Sequence, residues 1–315
     1  MPELPGKWLT PLVFRNGHSL PNRIIPGPMD GVSEGSFITV MSEANLVSSW
    51  FTPFIRISTG VPRLARLREK MAPYLATGLP VIVQIMGTRY ELLAETAARL
   101  HREGATCVDL NCACPSHTVL GSRSGGFLLR DPEGIRDAIT AMKKACGDAP
   151  VSVKIRCGYE SPDEIPDIAA ALREAAPDMV TCHFRTVLES YREAPDGLER
   201  LARMRELLPD IPLIGSGDLF SVEDALRMYW QCGVDGVAPA RGLLKNPALL
   251  RQIEAACAGE PFDGKMQMSE EDFLRALGSR SNRKRRIFVL KVAKVMYGED
   301  SDAFRKLLET HAAQD

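Results

Sequence analysis

Val108-Asp-Leu-Asn-Cys-Ala-Cys-Pro-Ser-His-Thr-Val-Leu-Gly-Ser-Arg-Ser-Gly-Gly-Phe127 opens with a short apolar run that stops at Asn111 and gives way to a loop rich in cysteine, proline and glycine. Cys107 to Leu110 is too short for a helix, and Pro115, Gly121, Gly125 and Gly126 predict irregular structure until Asp131-Pro132 opens the next helix. A strand therefore ends at Asn111, with Cys114 just beyond its carboxyl end. In a parallel α/β sheet or barrel that edge is where ligands bind, so the Cys114 thiol is a candidate reactive group. The alternative is an inert core cysteine.

Outward from this stretch, short apolar runs alternate with amphipathic helical segments from Arg23 to Ala258. The runs are Arg23 to Gly27, Trp50 to Ile55, Pro80 to Gln84, Cys107 to Leu110, Val151 to Ile155, Met179 to His183, Pro212 to Gly215 and Gly236 to Ala238. Helices are predicted at Tyr90 to Glu103, Pro132 to Cys146, Pro166 to Ala175, Gly197 to Leu207 and Ser221 to Gln231, the last with Ser221 as N-cap and an acidic first turn. About eight strand-helix units over roughly 235 residues predict a (β/α)₈ TIM barrel, an open doubly wound sheet being the alternative. The second unit fits least well, because Pro53 falls in its strand and Pro73 interrupts its basic helix, Arg63 to Ala76.

After Ala258 comes a polar linker, Gly259 to Gly264, then helix-period segments near Ser269 to Leu277, Arg283 to Met296 and Asp302 to Ala313. The expected organisation is a barrel over residues 1–258 and a small helical domain over 259–315. No acidic residue lies between Phe273 and Gly298, where Arg275, Arg280, Arg283, Lys284, Arg285, Arg286, Lys291 and Lys294 fall. Such a run suits a polyanion, or forms a solvated helix face.

Bulk properties narrow the class. With 315 residues, 45% hydrophobic and 25% charged, this is an ordinary globular composition, and a net charge of −1 makes any nucleic-acid surface a local one. No apolar run approaches membrane-spanning length and the first residues carry no apolar signal core, so a cytoplasmic location, away from the membrane, is expected. The eight cysteines are scattered over apparent strands and helices and read as free thiols; Cys112 and Cys114 lack a second ligand pair, so no metal is expected. A monomer is the expected form.

The strand ends gather polar residues. Pro26-Gly-Pro-Met-Asp-Gly31 is a turn able to lie against a flat ligand; Gln84, Asn111 and His183 end their runs, and Arg185 follows. Lys154 sits inside the apolar run Val151 to Ile155, where an ammonium is costly without an anion or carbonyl to face. Gly215-Ser-Gly-Asp218 and Ala240-Arg-Gly242 are turns after the seventh and eighth strands, the recurring phosphate site of such barrels. A phosphorylated cofactor follows, and Lys154 with Gln84 suits flavin mononucleotide (FMN) better than a sugar phosphate.

These residues carry a resemblance. Asn22 to Gly31, Val83 to Gly87, Asp109-Leu-Asn-Cys-Ala-Cys-Pro-Ser116, Leu128 to Pro132, Val151 to Arg156, His183-Phe-Arg-Thr186, Ile214 to Asp218 and Ala240 to Pro247 make the chain similar to the tRNA-dihydrouridine synthases, most like the C-type subgroup that modifies position 16. The resemblance implies an FMN-bearing barrel, a helical tRNA-binding domain, and reduction of the C5–C6 bond of a D-loop uridine at the expense of NADPH. By position, Pro28, Met29, Asp30, Gln84, Lys154, His183, Ser216, Gly217, Asp218, Ala240 and Arg241 would hold FMN, and Asn111 and Cys114 would face the uracil. Cys114 would be the general acid, and Arg185 with Arg283, Lys284, Arg285 and Arg286 would meet the RNA. The chain departs from the family at Ala113, His117, Ser216 and Ala240, where glycine, lysine, asparagine and glycine are usual, and lacks a Gly-x-x-Asp-Trp segment near Glu193 to Gly197. Two other functions remain open: an FMN-dependent reductase of free pyrimidines or enones, and a tRNA-binding homologue without activity.

Overall fold

The computed structural model describes residues 3–14, 16–33, 35–261, 269–278 and 283–312, with the side chains of 283–286 and 310–312 outside the description. A hairpin of β1 (Leu12–Val13) and β2 (Ser19–Leu20) comes first. It is followed by α1 (Ser36–Glu43), β3 (Trp50–Phe51), β4 (Ile55–Arg56), α2 (Leu64–Leu75), β5 (Val81–Met86), α3 (Tyr90–Arg102), β6 (Cys107–Asn111), α4 (His117–Gly121) and α5 (Pro132–Cys146). The alternation continues through β7 (Val151–Arg156), α6 (Ile165–Ala175), β8 (Met179–His183), α7 (Gly197–Leu207), β9 (Leu213–Ser216), α8 (Val222–Cys232) and β10 (Gly236–Val237). Then come α9 (Gly242–Lys245), α10 (Leu249–Ala258), α11 (Glu270–Gly278), α12 (Arg283–Tyr297) and α13 (Asp302–Ala312).

One parallel sheet runs β10-β9-β8-β7-β6-β5-β3, with β4 also on β5. The first predicted strand, 23–27, is reduced to one bridge between Ile24 and Val237, but the N–H groups of Ile25 and Gly27 donate to Val237 O and Pro239 O at 2.9 and 2.7 Å. This carries the ladder past β10. Ile25 then meets Phe51, Ile82, Cys107, Met179, Ile214 and Ala238 in one buried cluster, onto which Leu12, Phe14 and Leu20 of the hairpin region pack. Side chains from around the ring thus fill the interior, as in a TIM barrel, and the hairpin contributes to that inner core.

Strand alternation sorts the remaining buried residues. Val83, Ile85, Val108, Leu110, Cys112, Val153, Ile155, Val180 and Cys182 belong to the main cluster beneath the helices. Their alternates Gln84, Asp109, Asn111, Ser152, Lys154, Arg156, Thr181 and His183 point the other way, and register pairs them with one another: Gln84 with Asp109, Asp109 with Ser152, Asn111 with Lys154, Arg156 with His183. The barrel is apolar at one end of its interior and polar at the other.

Prolines explain the differences in the second unit. Pro53 has no N–H to give the ladder, and the expected strand splits there into β3 and β4; beside the break the Gln84 N–H donates to the Thr52 hydroxyl at 3.1 Å. Pro73 does not interrupt α2, because it stands in the last turn and removes a single bond there. The stretch after Asn111 is not irregular throughout: it forms α4 and a 3₁₀ turn, Gly125–Arg130. Ser221 caps α8 as predicted, its hydroxyl accepting the Asp224 N–H while Asp224 accepts that of Ser221.

The C-terminal helices share the barrel's core. Phe273 is fully buried with its ring edge-on to Phe37 of α1, and Leu277, Val289 and Val292 join the same cluster. No helix among the described residues is long and apolar enough to cross a membrane.

Candidate active site

A cavity of about 350 Å³ opens at the carboxyl ends of the strands. That is within the range of small-molecule sites. Pro28, Met29, Asp30, Gln84, Asn111, Cys114, Lys154, His183, Ser216, Gly217, Asp218, Ala240 and Arg241 all line it. Arg185 does not. Its side chain is buried behind the cavity wall, with a bidentate ion pair to Asp218 at 2.9 and 2.5 Å and a further bond from Nε to Arg192 O.

The floor of the cavity is a chain of hydrogen bonds. Asp109, wholly buried, accepts from Ser152 Oγ at 2.7 Å and from Gln84 Nε2 at 2.8 Å. Gln84 Oε1 accepts from Asn111 Nδ2 at 2.8 Å, and Asn111 Oδ1 accepts the N–H groups of Ala113 and Cys114 at 3.1 and 3.0 Å. Arg156 holds the same loop from the other side: Nε donates to Ala113 O at 2.8 Å, and Nη1 to Thr186 O and Ser190 O at 2.9 and 2.8 Å. Cys114 is thus a half-buried thiol on a loop fixed at two points. Cys112 continues the outward alternation into the helix layer, where burial pushes its thiol far up.

Electrostatically the wall is cationic. Lys154 makes no hydrogen bond or ion pair among the described residues; burial, then Arg156, pushes its ammonium down to about 8. Burial and the cations Arg156, Lys154, Arg185 and Arg241 hold His183 neutral, well below the usual histidine value. His183 Nδ1 accepts the Arg185 N–H at 3.2 Å, which leaves the Nε2 proton as a donor. Burial pushes Asp109 up to about 7 against the pull of Gln84, Ser152 and Lys154. Arg241 donates to Asp218 at 2.9 Å and lies 4.7 Å from the centre of the Tyr191 ring. Mutually repelling cations around an unpartnered lysine suit an anionic, partly flat ligand, and a flavin with its phosphate meets that description.

Comparison with known proteins gives this site a family. The model of the dihydrouridine synthase family matches residues 24–299. The chain belongs to the dihydrouridine synthases. It is 33% identical to the tRNA-dihydrouridine(16) synthase of Aquipseudomonas alcaligenes over 76% of this chain and 77% of that one, and 34% identical to the tRNA-dihydrouridine(16) synthase of Escherichia coli K12 over 74% and 75%. Its fold is similar to that of an old yellow enzyme homologue from Zymomonas mobilis (TM-score 0.57, 13% identity, 84% of this chain and 96% of that). A morphinone reductase structure gives TM-score 0.56 at 15% identity, over 84% and 96%. The family makes the chain a flavin-dependent oxidoreductase.

In this dihydrouridine synthase two of the four unusual residues, Ser216 and Ala240, have local contacts that accommodate them. Ser216 donates to Ala238 O at 3.2 Å. A Cβ at Gly27 would lie 2.9 Å from that of Ala240, so the methyl at 240 uses the room the glycine leaves. Gly27→Ala should therefore destabilise the fold by about 1–3 kcal/mol through overpacking, and adding Ala240→Gly should recover most of it, measured by urea denaturation. No recovery would mean that the carbonyls of Ala238 and Pro239, each 3.1 Å away, set the limit instead.

The sequence reading missed Asp109, Ser152, Arg156 and Tyr191. The first three carry a signal: each lies two residues from a residue already singled out, or opposite one, on an alternating strand. In the helical appendage Arg283 to Arg286 begin α12, their side chains lying outside the described residues, as does Arg280 altogether. The basic run is not wholly unpaired. Arg275 bonds Glu271 and Asp272 at 3.0 and 2.6 Å, and Lys294 meets Glu299 at 2.6 Å.

Proposed function

We propose that this chain reduces the C5–C6 double bond of the uridine at position 16 of the tRNA D-loop, with FMN in the cavity, NADPH as reductant and Cys114 as the acid. The observation that carries the reading is that Cys114 is the one cysteine on the cavity wall among the described residues, facing the same space as Lys154 and His183. The (16) specificity rests on the names of the relatives.

Bound there, the flavin would supply hydride to C6. The residues of the chain do the rest. Lys154 and the His183 Nε2 proton offer positive charge and a donor to the flavin ring, and Arg241 with the turn Ser216 to Asp218 would hold its phosphate. The Asp218 carboxylate, being an anion, acts on that phosphate only through Arg241. Cys114 gives its proton to C5. Tyr191, 58% exposed at the mouth, presents a ring for a base turned out of its loop. The barrel, 1–258, would do the chemistry while the helices of 259–315 grip the tRNA.

Two measurements test this. Heat release from the purified protein should yield FMN, one per chain; FAD, or no flavin after reconstitution, overturns the cofactor. After anaerobic reduction, unmodified tRNA should reoxidise the flavin and free uridine should not. Equal reoxidation by free uridine would assign a small-pyrimidine reductase, and reoxidation by neither a tRNA-binding role.

A further inference from the structure

From the Cys114 loop through Asn111 and Gln84 to Asp109, each hydrogen bond of the chain is donated toward the buried end, and the group that sets the direction lies there. At pH 8, above the value of about 7 to which burial raises it, Asp109 is mostly a carboxylate, which only accepts. Asp109 accepts from Ser152 on one oxygen and from Gln84 Nε2 on the other, so Gln84 must turn its carbonyl away, toward Asn111. Asn111 must then present its NH₂ to Gln84, which leaves its carbonyl facing the loop, where it accepts two backbone N–H groups, those of Ala113 and Cys114. Were Asn111 reversed, its NH₂ would confront the two backbone N–H donors; were Gln84 reversed, its NH₂ would confront that of Asn111 and its carbonyl the Asp109 carboxylate.

We infer that Asp109 is the positioning residue that aligns Gln84 and Asn111 and so fixes the loop carrying Cys114. It touches neither the cavity nor Cys114 and acts through two amides. The assignment deepens the proposed reaction, since it concerns where the acid is held, but its structural content stands without that reaction.

The test is peptide-resolved hydrogen exchange at pH 8 on the protein as purified, read at the Ala113 and Cys114 amides. Asp109→Leu keeps the size and removes the acceptor. Exchange at these two amides should quicken about tenfold, the equivalent of one ordinary hydrogen bond, while amides of α8 keep wild-type rates. Combining Asp109→Asn with Gln84→Glu moves the carboxylate one link along. The side-chain amide introduced at position 109 then donates to the carboxylate introduced at position 84, which also accepts from Asn111, and slow exchange should return. Wild-type exchange in Asp109→Leu, or a double variant as fast as the single one, overturns the inference. If Asp109→Leu does not fold, the double variant decides alone, slow exchange supporting and fast exchange overturning it. No turnover is measured, so failure here leaves the reaction standing, and a failed reoxidation by tRNA leaves this standing.

Discussion

Cys114→Ala is expected to slow uridine reduction by roughly 10² to 10⁴, the usual worth of a general acid, while leaving flavin content and tRNA affinity near wild type. The expectation rests on placement. Cys114 is half-buried on the cavity wall, its loop held through Asn111 Oδ1 at the backbone N–H and through Arg156 at Ala113 O, so removing Sγ takes away a proton without releasing the loop. Cys112 provides the contrast. It is wholly buried beneath the helices, and Cys112→Ala should cost about 1 kcal/mol of stability from lost packing without a comparable effect on rate. Single-turnover reoxidation by tRNA checks both. Equal slowing at the two positions would mean that the loop is fragile as a whole and that Cys114 has no proton-donating part.

Replacing Arg283, Lys284, Arg285 and Arg286 together by glutamine should flatten the slope of log tRNA affinity against log salt by about 3 to 4 and weaken binding near 0.1 M salt by about 10³. Sequence and backbone combine in this expectation. These residues are the first turn of α12, which holds no acidic residue. Positive charge at a helix N-terminus opposes the helix dipole, at about 0.3–1 kcal/mol per charge, so four such residues work against their own helix. A polyanion bound there would reverse the sign of that effect. Elsewhere in the run Arg275 and Lys294 have acidic partners. Phosphate contacts carry no base information, so every bound tRNA should weaken alike. Slow NADPH oxidation with oxygen as acceptor should be unchanged, because that reaction needs no tRNA. Parallel salt titrations of wild type and variant would move the tRNA elsewhere, for example to the basic face of α2.

The sequence by itself determined the barrel, the positions of its strands to within a residue or two for most units, and the strand-end residues that meet in the cavity. Those features are local: strand alternation, caps and turn residues are written in runs of five to fifteen neighbours. Counting does not separate Cys112 from Cys114, which share the parity of Val108 and Leu110; the strand ends at Asn111 and the loop beyond it brings Cys114 to the cavity while Cys112 stays beneath the helices. In the second unit proline accounts for the differences: Pro53 falls within its strand, and Pro73 stands in the last turn of its helix, where it removes a single bond.

Only the tertiary structure decided the partners. Arg185 and Arg241 converge on Asp218 from two different strand ends, which removes Arg185 from the cavity and makes Asp218 a counter-ion. Gly27 and Ala240 share one small space although they stand at opposite ends of the barrel sequence. Asp109, Gln84 and Asn111 form a directed chain because parallel register sets Gln84 opposite Asp109, with Asn111 two residues further along the same strand and on the same face. No local pattern encodes these pairings. They follow from register and from the closing of the ring, which bring together side chains that the backbone period alone can only turn inward.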